Sequence, residues 1–157
     1  MSDKRLAAFR KIYLLLFLGV FLTSCAVQYV SRYDEATEQG ITSIQRNLEG
    51  LFQKIERGLG TPDAAYENFV STYEQLHVEA AMLSARAQAI DLNSITAEQS
   101  KLLIKWLADL EELHKTGFNN VGMLMVTRTQ AEQIFVAMLK FELAKKRQLD
   151  PAIIEGG

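Results

Sequence analysis

The sequence predicts an all-α fold, an antiparallel up-down-up-down four-helix bundle, on three observations. Apolar residues recur at steps of three and four through most of the chain after Cys25. Nine glycines and two prolines in 157 residues leave little room for long loops. No stretch shows the two-residue alternation or the turn chemistry of strands. Hydrophobic residues make up 48% and charged residues 23%, a balance that suits one globular domain rather than disorder.

The first helix is expected at about 27–57. Ile41, Ile44, Leu48, Leu51 and Ile55 form its stripe, the same steps run back through Thr37, Asp34 and Val30, and Gly58 and Gly60 close it. Thr61-Pro62-Asp63 opens a second helix, at about 62–90, with an N-cap hydroxyl, a proline at the first helical position and an early acid. Its stripe is Tyr66, Phe69, Tyr73, Leu76, Ala80, Leu83, Ala87 and Ile90. Thr96-Ala97-Glu98-Gln99 reads as a capping box for a third helix at about 97–116, with Leu103, Trp106, Leu107, Leu110 and Leu113 on its apolar face. Gly117-Phe118 suits a Schellman-type end, with Phe118 folding back on Leu113. The fourth helix, at about 120–147, carries Leu124, Thr127, Ala131, Ile134, Met138 and Phe141. Gly122, Thr127 and Thr129 leave open a later start near Arg128. Sustained spacing of this kind implies helix crossings near +20°. Residues 149–157 form an apolar but short, flexible tail that either tucks against the bundle or offers itself to a partner.

Residues 1–25 divide into a basic segment (Lys4, Arg5, Arg10, Lys11), an eleven-residue uncharged run from Ile12 to Leu22, and Leu22-Thr23-Ser24-Cys25. The run is too short to span a hydrocarbon core about 30 Å thick, and a basic start, a short apolar centre and small residues at its end mark an export signal. The last four residues resemble the lipobox of bacterial lipoproteins. That resemblance implies a signal peptide at 1–24, a diacylglycerol on the Cys25 thiol, an acyl chain such as palmitate on its new amine, and a cell-envelope location. Ala26, where an Asp commonly retains such proteins in the inner membrane, leans towards the outer membrane facing the periplasm. Two or more acyl chains make a stable anchor. The bundle would then occupy residues 25–148.

Function classes narrow accordingly. One cysteine excludes an intramolecular disulfide framework and a multi-cysteine zinc site. A formal net charge of -2 gives no reason to expect nucleic-acid binding. With two histidines in the chain and the thiol assigned to lipid, no acid, base and nucleophile set emerges, so an enzyme is not expected, nor any cofactor beyond the lipid.

Asp34 continues the apolar seam of the first helix, where a carboxylate must be paired or wet. Hairpin register sets it near Arg86, which predicts an Asp34–Arg86 contact with Tyr33 or Thr37 close by. A solvated end, a structural ion pair and a polar binding site lined by Tyr29, Tyr33, Asp34, Thr37 and Arg86 remain open. Two Glu-x-x-His sequences, Glu74 to His77 and Glu111 to His114, are weak metal candidates resembling those of di-iron bundles. The first helix offers Gln45 and Arg46 where such a site needs a carboxylate, so no metal is assigned. Arg128 could meet an anion at the membrane-distal end. Phe118, Met123 and Met125 either cap the core there or form an adaptable contact surface. Lys145-Lys146-Arg147 complements a helix C-terminus and could also touch anionic head groups. Taken together, the expectation is a lipid-anchored, non-enzymatic accessory or adaptor protein bound to an envelope partner. The alternative is a tethered bundle holding a small molecule, metal or haem.

Overall fold

The computed structural model describes residues 30–118 and 120–149. It is all-helical, a four-helix bundle: α1 Glu35–Gly58, α2 Val70–Ala89, α3 Ser94–Thr116 and α4 Val121–Leu149, with 3₁₀ turns at Pro62–Ala64 and Tyr66–Asn68 between α1 and α2. Cys25, Tyr29 and the tail from residue 150 onward lie outside the described residues.

Each helix pairs with the next along the chain, and α4 returns to α1. Asp34 meets Arg86 and Asn47 meets Glu79; His77 meets Glu111; Thr96 meets Glu142; Glu49 meets Arg128. Every pairing joins an earlier position of one helix to a later position of its neighbour, the order an up-down-up-down path requires. Ile41, Ile44, Leu48, Leu51, Phe52 and Ile55 of α1 close on Leu76, Leu83, Leu103, Leu107, Phe135 and Met138, all 4% exposed or less. Each side chain buried this fully contributes about 1.5–3 kcal/mol.

Helix starts depart from the sequence-based expectation for local reasons. α1 begins at Glu35, not near residue 27, because Asp34 is its N-cap: extended at φ −127°, its carboxylate accepts from the Thr37 amide. The carboxylate that interrupts the apolar seam therefore works as a helix cap. α2 begins at Val70, not at residue 62. Thr61 does cap Asp63, but Ala65 turns extended, and Asn68 donates across the turn to the Pro62 carbonyl. The predicted helix start is thus two 3₁₀ turns, the first of them laid over the end of α1.

α3 begins at Ser94, and Thr96 is not a cap. It is buried in the first turn with its hydroxyl donated to Glu142, which outcompetes the capping box. At the other end Gly117 has φ 89° and ψ 142°, outside the left-handed helical well, so no Schellman motif forms. Phe118 folds back onto the His114 ring, 5.3 Å between centroids. α4 takes the earlier of its two possible starts: the Asn120 side chain accepts from the Met123 amide, and Thr127 is accommodated by bonding back to the Met123 carbonyl.

A Cβ on Gly58 would lie 2.9 Å from the Ala64 backbone nitrogen, whereas one on Gly50 meets nothing within 4 Å. Gly58→Ala is expected to destabilise the bundle by about 1–3 kcal/mol and Gly50→Ala to stabilise it by about 0.5–1 kcal/mol. Thermal melts followed by circular dichroism read both.

Candidate functional site

Polar side chains gather at the two ends of the bundle and in one lateral groove. At the Asp34 end, α1 supplies a capping carboxylate and α2 supplies Arg86 from its last turn. Arg86 Nε donates to Asp34 Oδ2 at 2.6 Å and its terminal nitrogen to Oδ1 at 2.7 Å, a bidentate pair. The Thr37 hydroxyl adds a third donor at 2.6 Å. The Arg86 guanidinium, with help from Thr37, holds the Asp34 carboxyl far below its ordinary range. The pair predicted from hairpin register is present, with Thr37 beside it. Tyr33 points elsewhere: its hydroxyl donates to Glu38, and the Lys146 ammonium lies 4.9 Å from its ring centroid. The Glu38 carboxylate raises the Tyr33 pKa. Of the five polar candidates, Asp34, Thr37 and Arg86 come together, Tyr33 joins α4 instead, and Tyr29 is outside the described residues.

Beside this pair lies a buried network that sequence reasoning missed. Lys145, 3% exposed, donates to Glu142 at 2.7 Å, to Asn93 at 2.6 Å and to the Thr96 hydroxyl at 2.9 Å. Ser31 donates to the same Asn93 oxygen at 2.9 Å, and the Asn93 amide donates to the Ala87 carbonyl. The second Glu142 oxygen is buried with no partner among the described residues. Lys145 is therefore not part of a cationic cap on α4, although Lys146 and Arg147 remain exposed there. A signal for it exists: Leu124, Thr127, Ala131, Phe135, Met138, Glu142 and Lys145 keep the three-four spacing, so the last two sit on the core stripe.

At the opposite end His114 is 2% exposed and caged by Tyr66, Phe69, Tyr73 and Phe118, with ring centroids 5.3–5.9 Å away. Its Nε2 faces the Ala64 carbonyl at 2.8 Å, which can only accept, so Nε2 carries the proton and Nδ1 accepts from the Tyr73 hydroxyl at 2.9 Å. Burial lowers the His114 pKa. Glu111 accepts from the Tyr66 hydroxyl at 2.6 Å and meets His77 Nε2 at 2.8 Å. The Tyr66 hydrogen bond, then His77 and Lys115, lower the Glu111 pKa. The two Glu-x-x-His sequences thus contribute one pair, Glu111 with His77; His114 turns inward and Glu74 is exposed. Among the described residues no group of three or more His, Cys, Asp or Glu is placed to hold a metal ion.

The lateral groove, about 370 Å³, lies between α1 and α4 over Leu48, Phe52, Ala131 and Phe135, with Arg46 on its rim. Arg128 is not the free anion site its position suggested: Glu49, Glu56 and Glu132 surround it. Phe118 belongs to the core at the His114 end, while Met125 is exposed. No helix among the described residues is long and apolar enough to cross a membrane. No protein-family model, curated protein or solved structure matches the chain.

Two measurements follow from these contacts. Lys145→Met leaves Glu142 buried without its counter-charge and should cost about 3–5 kcal/mol, while the double variant Lys145→Met/Glu142→Leu should recover most of it; chemical denaturation reads both. Because the folded pKa of His114 lies below its unfolded value near 6.5, the unfolded chain takes up that proton first. The stabilisation is complete above pH 6.5 and is lost as pH falls through the window beneath it. His114→Gln should be less stable than wild type at pH 8, yet lose less stability between pH 7 and pH 5.

Proposed function

We propose that this protein is a lipid-anchored helical component of the bacterial envelope, a non-enzymatic accessory or adaptor that binds an envelope partner. The single observation that carries the reading is Leu22-Thr23-Ser24-Cys25 at the end of a short apolar run with a basic start. Processing there leaves Cys25 as the first residue, acylated and unavailable for catalysis. The bundle supports the reading in two ways. Its first helix starts at Glu35, so a short stretch of chain separates the anchor from the folded domain. Several of its titratable side chains are engaged within the bundle: Asp34 with Arg86, Glu142 with Lys145, His114 with Tyr73 and the Ala64 carbonyl. Exposed apolar residues on α3 and α4, Leu102, Met125 and Val126 among them, supply surface for a partner.

The groove between α1 and α4 favours a second reading, a tethered bundle that holds a small apolar ligand over Leu48, Phe52 and Phe135. Native mass spectrometry of protein extracted from its own membrane separates the two: a bound small molecule displaced by Ala131→Trp supports the ligand reading.

Cells fed an alkyne-tagged palmitate should label the wild-type protein and not Cys25→Ala, and the mature mass should match cleavage before Cys25. Crosslinking in the envelope should recover one dominant partner that the Cys25→Ala control loses. Unlabelled, uncleaved wild-type protein would overturn the anchor, and specific labelling without a partner would overturn the adaptor role.

A further inference from the structure

The turn between α2 and α3 carries a leucine where chain geometry asks for something else. Leu92 has φ 60°, and among the described residues it is the one residue other than glycine with a positive φ. That left-handed region suits Gly, Asn or Asp, which cost less there than a branched apolar side chain. Leu92 is also 56% exposed, so burial does not offset the cost. Its backbone is held from both sides. The Leu92 carbonyl accepts from the Ser31 amide, and the next residue, Asn93, is buried and bonded to Lys145. Ile95, in the first turn of α3, is 48% exposed. Two branched apolar side chains thus stand uncovered at the tip of the Asp34 end.

Two further observations say what meets this tip. Ser31, bonded to the turn, is six residues after Cys25 in the sequence. At about 3.5 Å per residue at most, a lipid on Cys25 holds the turn within about 21 Å of the bilayer surface. The exposed charges nearby are of both signs, Arg32, Lys146 and Arg147 with Glu35 and Asp91. Such a rim is neither driven off anionic head groups nor held there by charge alone. The apolar pair decides the contact.

We infer that the α2–α3 turn is a second point of attachment to the lipid bilayer. Leu92 and Ile95 enter the boundary between head groups and acyl chains, with Arg32, Lys146 and Arg147 at head-group level around them. The inference rests on the anchored reading, because two side chains bury too little area to hold a protein on a membrane unaided. Given an anchor, they set orientation. A lipid tether alone leaves the bundle free to tumble, whereas a tether and an inserted turn stand it on its Asp34 end. The His114 end then faces away from the bilayer.

Tryptophan quenching by brominated phosphatidylcholine tests this in full-length protein taken from its own membrane and reconstituted into vesicles that also contain phosphatidylglycerol. Trp106→Phe removes the one tryptophan of the chain. Ile95→Trp, or Met125→Trp at the exposed opposite end, then reports on one end at a time. The Ile95→Trp reporter should lose about half its emission to the brominated lipid, and the Met125→Trp reporter less than about a tenth. Leu92→Gly removes the side chain and the backbone strain together. It should keep or raise the thermal midpoint while cutting the quenching of the Ile95→Trp reporter about twofold, and Leu92→Asp should abolish it. Intact mass of the same sample keeps two failures apart. Acylated, vesicle-bound protein whose Ile95→Trp reporter is quenched no more than Met125→Trp, or equally after Leu92→Asp, overturns the inference and leaves the anchor standing. Cys25 without lipid, in protein that does not stay with the vesicles, overturns the anchored reading and the inference with it.

Discussion

The arrangement of the helices depends on one buried ion pair. Lys145 and Glu142 sit on the core stripe of α4, and taking two such charges out of water costs several kcal/mol before any attraction is counted. That cost is offset only where every proton of the ammonium finds an acceptor. The chain meets the condition by bringing Asn93 from the α2–α3 turn and Thr96 from the first turn of α3 to Lys145, and Ser31 from ahead of α1 to Asn93. A shift of α4 by one turn would strand the ammonium, so a pair that adds little net stability sets the register of three separate pieces of chain. An apolar pair of similar volume would tolerate neighbouring registers more readily.

The His114 end works by a different principle. There a neutral imidazole has both nitrogens committed, one to Tyr73 and one to the Ala64 carbonyl in the 3₁₀ segment. Four aromatic rings pack around it and exclude water. One end of the bundle is therefore ordered by charge and the other by shape and a single tautomer. The lateral Arg128 cluster with Glu49, Glu56 and Glu132 joins α1 to α4 between them, nearer the His114 end.

Helix number and the core stripe of α1 were legible in the sequence because α1 alternates polar and apolar faces cleanly, and spacing reports that directly. The Asp34–Arg86 contact was legible for the same reason, since hairpin register follows from turn position. Helix starts were not. Aspartate and threonine can cap, bond across the bundle or lie mid-helix, and only tertiary partners decide, as the different fates of Asp34 and Thr96 illustrate. Lys145 was hidden because a lysine between Ala144 and Lys146 looks like surface, and its burial follows from acceptors supplied by residues 93, 96 and 142. The partners of His114 were not legible either: spacing placed Glu111 and His114 on one helix face, but a backbone carbonyl and a tyrosine claimed the imidazole.

The segment ahead of α1 has a mechanical consequence. The Ser31 amide donates to the Leu92 carbonyl, its hydroxyl holds Asn93, and three residues later Asp34 grips Arg86 with two parallel bonds. Tension applied through the chain before Val30 therefore does not reach α1 first. It is passed sideways into the α2–α3 turn and the end of α2, several bonds sharing the load at once. A helix pulled from its bare end unravels turn by turn; this one is clamped, and the bundle takes the pull as a unit.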